Sequence, residues 1–194
     1  MAGSPIALLD FHVRVDERTE VRPVHAADAE AIYQLVRENL DHLYPWMDWV
    51  PEGGYAREDA RDFVRRSEKA AREQSSFNAL IVRDGEVIGA TGFPQIDWVN
   101  RIAHIGYWLD RKCTGRGLMT ECVRALVTYA FDALEMNRIE IRCAANNEAS
   151  AAVAQRLGFT RDGVLRQGLL VHGRYVDDCV FSMLREEWET VRTP

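Results

Sequence analysis

Cys113–Phe131 reads CTGRGLMTECVRALVTYAF: two glycines flank an arginine and run straight into a helical pattern. Leu118, Cys122, Ala125, Leu126, Tyr129 and Ala133 fall on one stripe, which predicts an amphipathic helix over Gly117–Leu134. Just upstream, Arg101–Leu109 is apolar on both alternating faces, the pattern of a central strand. A strand that passes into a helix through Gly-Arg-Gly has two readings: a tight turn, or a cradle for phosphate. The first turn of a helix carries N–H groups with no intrahelical acceptor, its dipole end is positive, and glycine lets the backbone approach an anion. Lys112 and Arg116 add positive charge. The Walker pattern GxxxxGK[ST] is absent, and Thr120 stands where a dinucleotide fingerprint needs its third glycine, so nucleotide-triphosphate chemistry and NAD binding lose ground.

The elements around this stretch alternate. Phe11–Val15 and Glu20–Val24 read as short strands, and Asp28–Asn39 as a helix with apolar positions Ala29, Ile32, Leu35 and Val36. LDHLYPWMDWVPEGG, residues 40–54, is a loop or broken helix because of its prolines and glycines, and Arg57–Arg72 returns to helix. Ser76–Arg83 and Glu86–Phe93 flank Asp84-Gly85, a two-residue hairpin signal. Then come strand Arg138–Ala144, helix Asn147–Leu157, and strands Thr160–Val171 and Arg174–Leu184 turning at His172-Gly173, with a short helix at the end. The expected fold is α/β, a single sheet with helices on both faces, in one domain spanning 1–194.

Composition bounds the partners. A net charge of −6 argues against nucleic acid, because a duplex binder needs a basic face. No apolar run approaches a membrane span, so no membrane partner is expected. The opening MAGSPIALLDFHVRV lacks the basic start of a signal peptide and its apolar part is short, so a cytoplasmic location is expected. Cys113, Cys122, Cys143 and Cys179 form no CxxC pair and no HExxH occurs, so no metal is expected and the thiols are read as reduced.

AHIGYWLD, RKCTGRGLMTECVRALVTYAF, RIEIRCAANNEAS and AVAQRLGFTRDGVLR follow one another in an order and spacing that resembles the GNAT superfamily of acetyl-CoA-dependent N-acetyltransferases. The branch most resembled is the ribosomal-protein N-terminal acetyltransferases of the RimJ/RimL type, and LYPWMDWV is similar to that branch's substrate-loop region. The resemblance covers most of the chain. It implies a mixed, mainly antiparallel sheet whose central parallel strand pair splays apart. It also implies that Lys112, Cys113, Thr114, Gly115, Arg116, Gly117 and Leu118 wrap the pyrophosphate of CoA with backbone amides, lysine replacing the first residue of the family's Q/R-x-x-G-x-G/A loop. Tyr107, Trp108 and Leu109 would pair with the pantetheine arm, Arg138–Ala144 would diverge from them, and Asn146 and Ser150 would lie beside the sulfur.

Each residue also has a structural reading. Asn146 suits an N-cap where the helix begins, as well as a contact with pantetheine. The tyrosine acid of many GNAT enzymes falls at Ala154, which leaves Ser150 as the candidate to protonate the departing thiolate. His104 stands where many members place a glutamate base; imidazole titrates near neutrality and could serve, or could be a satisfied core histidine. The glutamate of RimL-type members falls at Leu169, which cannot act as a base. Trp46 and Trp49, with Tyr44 and Met47, are candidates for one wall of the acceptor groove, or parts of an apolar plug, and Asp48 or Asp97 is a candidate to hold an ammonium. Cys143 is read as a core residue near the thiol, where a mixed disulfide with CoA is conceivable.

The chemistry expected is direct acetyl transfer to a primary amine, foremost the α-amine of a protein such as a ribosomal protein. An α-amine titrates near 8 and lysine near 10.4, so at neutral pH the α-amine costs about 3 kcal/mol less to deprotonate and needs little help from a base. Acetylation of a small amine (antibiotic, polyamine or toxin-like aminoacyl compound) is the alternative, followed by a CoA-binding sensor without catalysis. Exposed sheet edges and the closing hairpin suggest a homodimer.

Overall fold

The computed structural model describes residues 8–192, so the first seven and last two residues of the expected 1–194 domain, with part of the signal-peptide reading, lie outside it. Eight strands form one sheet: β1 (Val13–Arg14), β2 (Thr19–Pro23), β3 (Phe77–Arg83), β4 (Glu86–Asp97), β5 (Ile102–Leu109), β6 (Arg138–Ala144), β7 (Thr160–Val171) and β8 (Arg174–Leu184). Their order is β1-β2-β3-β4-β5-β6-β8-β7, and among the described residues β5–β6 is the one parallel pair. That pair is parallel because a helical crossover, α4 (Leu118–Asp132), joins its strands. The mixed, mainly antiparallel sheet expected from the resemblance is therefore found.

Two cores sandwich the sheet. α1 (Ala29–Glu38), α2 (Leu40–Leu43) and α3 (Arg57–Arg72) cover one face, where Ile32, Val36, Leu43, Ala60 and Val64 pack on Leu80, Val82 and Ala90. α4, α5 (Glu148–Arg156) and α6 (Arg185–Arg192) cover the other, where Cys122, Val123, Leu126 and Val127 meet Ala103, Ile105 and Leu109, with Trp188 anchoring α6. The alternation along β5 thus places His104, Gly106 and Trp108 on the α1–α3 side.

Turn chemistry sets the two hairpins. Asp84-Gly85 and His172-Gly173 both have positive φ at both positions, the type I′ pattern whose twist matches the strands. Three features depart from the expectation. Phe11 belongs to the core, edge-on to Phe77 and Tyr129, so β1 is only two residues long. A short α2 forms inside the proline-interrupted segment 40–54. β4 runs four residues past Phe93, with an irregularity between Gly92 and Gln95 that accommodates Pro94. Gly92 is required there, since a Cβ would lie 2.1 Å from the Phe77 carbonyl oxygen.

This irregularity sits beside the point at which β5 and β6 part. They pair from Ile102↔Arg138 to Ile105↔Ile141 and no further. Gly106–Leu109 stays with β4, and Arg142–Ala144 stays with β8. A wedge opens between the two strands, and the loop that leads to α4 starts at its wide end.

Candidate active site

Asp110 follows β5, and its Oδ1 accepts from the Lys112 N–H at 3.0 Å, starting a 3₁₀ turn over Arg111–Cys113. The Thr114 hydroxyl donates to the Arg111 carbonyl at 2.9 Å. Gly115 and Gly117 then take φ of +76° and +77°, a left-handed conformation that side-chain-bearing residues adopt at a cost. Gly117 is the N-cap of α4 and supplies no side chain to cap it. The Glu121 N–H bonds the Gly117 carbonyl at 3.2 Å, so the amides of Leu118, Met119 and Thr120 precede the first turn's acceptors. Residues Thr114–Gly117 are exposed. An uncapped helix start behind a glycine loop, with Arg116 beside it, fits a diphosphate. Lys112 is partly engaged, its Nζ 3.0 Å from Glu38 Oε2.

Across the wedge, Ser150 Oγ donates to Tyr107 Oη at 3.1 Å, and Tyr107 Oη donates to the Ser150 carbonyl at 3.0 Å. The Ser150 N–H is held by Asn147 Oδ1 at 3.1 Å. Asn147, and not Asn146, is therefore the cap of α5; Asn146 is exposed just outside it. Burial pushes the Cys143 thiol on β6 up, an effect that Ser150 opposes. Burial pushes the Tyr107 hydroxyl up as well, so it stays protonated. Tyr107 entered the sequence reading for its backbone alone; its hydroxyl links β5 to α5.

His104 lies on the paired part of β5, before the wedge opens. Its Nε2 is 3.6 Å from Glu140 Oε2, too far for a hydrogen bond. Burial pulls its pKa below 6.5, with Arg138 and Arg142 adding to that effect and Glu140 opposing it. His104 is consequently neutral at pH 7.

A cavity of about 690 Å³ opens between α1, α3, the 47–55 segment and strands β3–β5. Trp49 and Trp108 line it, with ring centroids 6.1 Å apart, as do Tyr55 and Phe63. Gly106, Tyr107 and Trp108 bring it to the β5 arm of the wedge. Of the sequence candidates, Trp49, Tyr107 and Trp108 are here, whereas Trp46 and Asp48 stand outside the lining. Asp97 ends β4, paired with Ile102 at the start of β5, and both its oxygens accept from Asn100. That turn engages both carboxylate oxygens, and Asp97 is not among the residues lining the cavity. On the open side, His172 stacks on Tyr44 at 3.8 Å and its Nε2 meets the Tyr44 carbonyl at 2.9 Å, tying the β7–β8 turn to the aromatic segment. Leu169 pairs with Val176 and offers no ionisable group.

A diverging parallel strand pair, a bare helix start and an acceptor-side cavity define a CoA-dependent acyltransferase arrangement. The chain belongs to the GNAT acetyltransferase family: the Acetyltransferase (GNAT) domain profile matches residues 18–160. YdaF of Bacillus subtilis (strain 168), provisionally assigned as a ribosomal N-acetyltransferase, is 34% identical over 92% of this chain and 98% of its own. The ribosomal-protein-serine acetyltransferase of Escherichia coli (strain K12) is 30% identical over 89% of this chain and 96% of its own. Among solved structures, RimL, the ribosomal L7/L12 α-N-protein acetyltransferase, in complex with coenzyme A as a CoA–cysteine disulfide, superposes with a TM-score of 0.86. It is 29% identical, over 91% of this chain and 99% of that one. No group of residues suited to a metal ion occurs among the described residues, and no helix there is long and apolar enough to cross a membrane.

Proposed function

We propose that the protein transfers acetyl from acetyl-CoA to the N-terminal α-amine of a protein, a ribosomal protein being the acceptor class nearest to its relatives. The observation that carries this reading is the wedge between β5 and β6, which runs from the exposed amides of Gly115–Leu118 to the Tyr107–Ser150 pair.

In this reading the loop amides and Arg116 hold the diphosphate. The edges of Tyr107–Leu109 align the pantetheine, and Asn146 contacts its arm. The amine comes from the cavity side and its nitrogen bonds the acetyl carbon. A β5 backbone N–H at Tyr107–Leu109 steadies the oxyanion. As the C–S bond breaks, Ser150 Oγ turns from Tyr107 to the sulfur and passes it a proton while water reprotonates Oγ, or water protonates the thiolate directly. The amine proton leaves to water or to neutral His104. Removal of a proton from an α-amine is easy enough at neutral pH that a distant histidine or a water chain suffices. In the same reading the Cys143 thiolate attacks one sulfur of a CoA disulfide, forming the mixed disulfide as the S–S bond breaks and the other CoA leaves as thiolate.

The same proposal takes 1–194 as one acetyltransferase unit, cytoplasmic, and homodimeric. Exposed Leu165, Leu170 and Tyr175 on the β7–β8 hairpin give such a dimer apolar surface. The test is transfer of labelled acetyl from acetyl-CoA into cell extract, read by mass spectrometry. Label on protein N-termini supports the proposal; label in small molecules alone overturns its acceptor class. CoA uptake without thiol release to any amine overturns catalysis.

A further inference from the structure

The cavity beside the wedge is far larger than the side chain of a serine or alanine. We infer that it is the pocket selecting the acceptor, and that it takes an amine with a large apolar or aromatic group next to the nitrogen, as in a peptide beginning with Phe, Leu or Met. This inference rests on the transferase reading and narrows it.

Four observations converge. First, Gly106 lies on the cavity wall where β5 borders the wedge; a Cβ there would meet only Pro94, at 3.5 Å, so glycine leaves usable space for the acceptor. Second, about 690 Å³ lies within the range of pockets that bury whole drug-sized ligands. Third, the walls are aromatic. Trp49 faces both Trp108 and Tyr55 at 6.1 Å, yet remains 42% exposed, so its ring has area left to cover. Fourth, the polar groups in the lining include Arg66. Arg57, Arg61, Arg65 and Arg72 of the same helix each pair with a carboxylate: Glu30, Glu58, Glu58 with Asp62, and Glu68. Arg66 alone among α3 arginines has no such partner among the described residues. Its guanidinium can donate to the carbonyl oxygens of a peptide whose first side chain fills the cavity. Asp59 on the same wall holds the Ala56 N–H at 2.8 Å and adds an opposite charge near the mouth.

The two trades are unequal. An apolar first side chain leaves water for a pocket of matching character, whereas Ser or Ala would leave most of the volume to solvent. Preference therefore follows the size of the first residue.

The test uses the full chain, saturating acetyl-CoA and peptides identical except for a first residue of Ser, Ala, Leu, Met or Phe. Thiol release is followed and the acetylated N-terminus confirmed by mass spectrometry. The expected kcat/KM for Phe, Leu or Met is at least about tenfold above that for Ser or Ala. Trp49→Ala and Phe63→Ala, checked for folding by CoA affinity, bring that ratio toward one. Equal or faster reaction of Ser- and Ala-first peptides overturns the inference and leaves the transferase reading standing, as does a ratio untouched in both variants. No thiol release with any acceptor, despite CoA uptake, overturns both.

Discussion

Tyr107→Phe removes one oxygen and keeps the ring. In the native protein that oxygen accepts from Ser150 Oγ at 3.1 Å and donates to the Ser150 carbonyl at 3.0 Å. Each such bond is worth about 1 kcal/mol net, so the variant should lose about 2 kcal/mol of stability. The catalytic effect has a different origin. Without Tyr107 the Ser150 hydroxyl is free to turn, and a misplacement worth one hydrogen bond, about 1 kcal/mol, lowers kcat about fivefold. The KM for acetyl-CoA should move little, because the diphosphate grip lies on the α4 loop. A double-mutant cycle with Ser150→Ala sharpens the test. Ser150→Ala leaves the Tyr107 hydroxyl its bond to the residue-150 carbonyl, and the two losses overlap in the Oγ–Oη bond. The coupling energy in kcat should be about 1 kcal/mol, and additive effects would show that the two hydroxyls act separately. Urea unfolding and steady-state thiol release supply both quantities; wild-type kcat in Tyr107→Phe refutes the reasoning outright.

Other outcomes follow from the same geometry. Gly117→Ala meets nothing within 4 Å but must hold φ near +77°, so it should cost about 1 kcal/mol in thermal unfolding and weaken CoA binding measured by calorimetry. Burial holds His104 below its usual 6.5, so the unfolded chain binds that proton more tightly. The His104 contribution to stability is complete above about pH 6.5 and is lost as pH falls below it. His104→Gln should flatten that part of a stability–pH curve, and an unchanged curve contradicts the burial argument. Arg116→Ala should reduce CoA affinity at low salt and reduce it less at high salt, because an exposed charge is screened. Equal losses at both salts would mean that Arg116 acts by shape.

Much of this architecture is legible in local sequence. Asp84-Gly85 and His172-Gly173 specify type I′ turns through residues that tolerate positive φ, and the stripe from Leu118 to Ala133 specifies α4. The glycines at 115 and 117 are legible for the same reason, since φ is a local property. Contacts across long separations are not. Nothing near Tyr107 announces Ser150, 43 residues on, and nothing in α3 marks the face of Phe63 and Arg66 as a cavity wall. Spacing even offers Arg66 a partner, Asp62 four residues before it, which the fold gives to Arg65 instead. Asn146 and Asn147 carry the same cap chemistry one residue apart, and only the path of the chain out of β6 selects Asn147. Asp97 reads in the sequence as a candidate to hold an ammonium, and only the folded turn shows Asn100 engaging both its oxygens.

The most direct measurement is a crystal structure with coenzyme A bound. The account predicts diphosphate oxygens about 2.7–3.2 Å from amide nitrogens of Gly115–Leu118, and the thiol lying between β5 and β6 beside Ser150. A coenzyme lodged away from the start of α4, or no density for it at saturating concentration, contradicts the account.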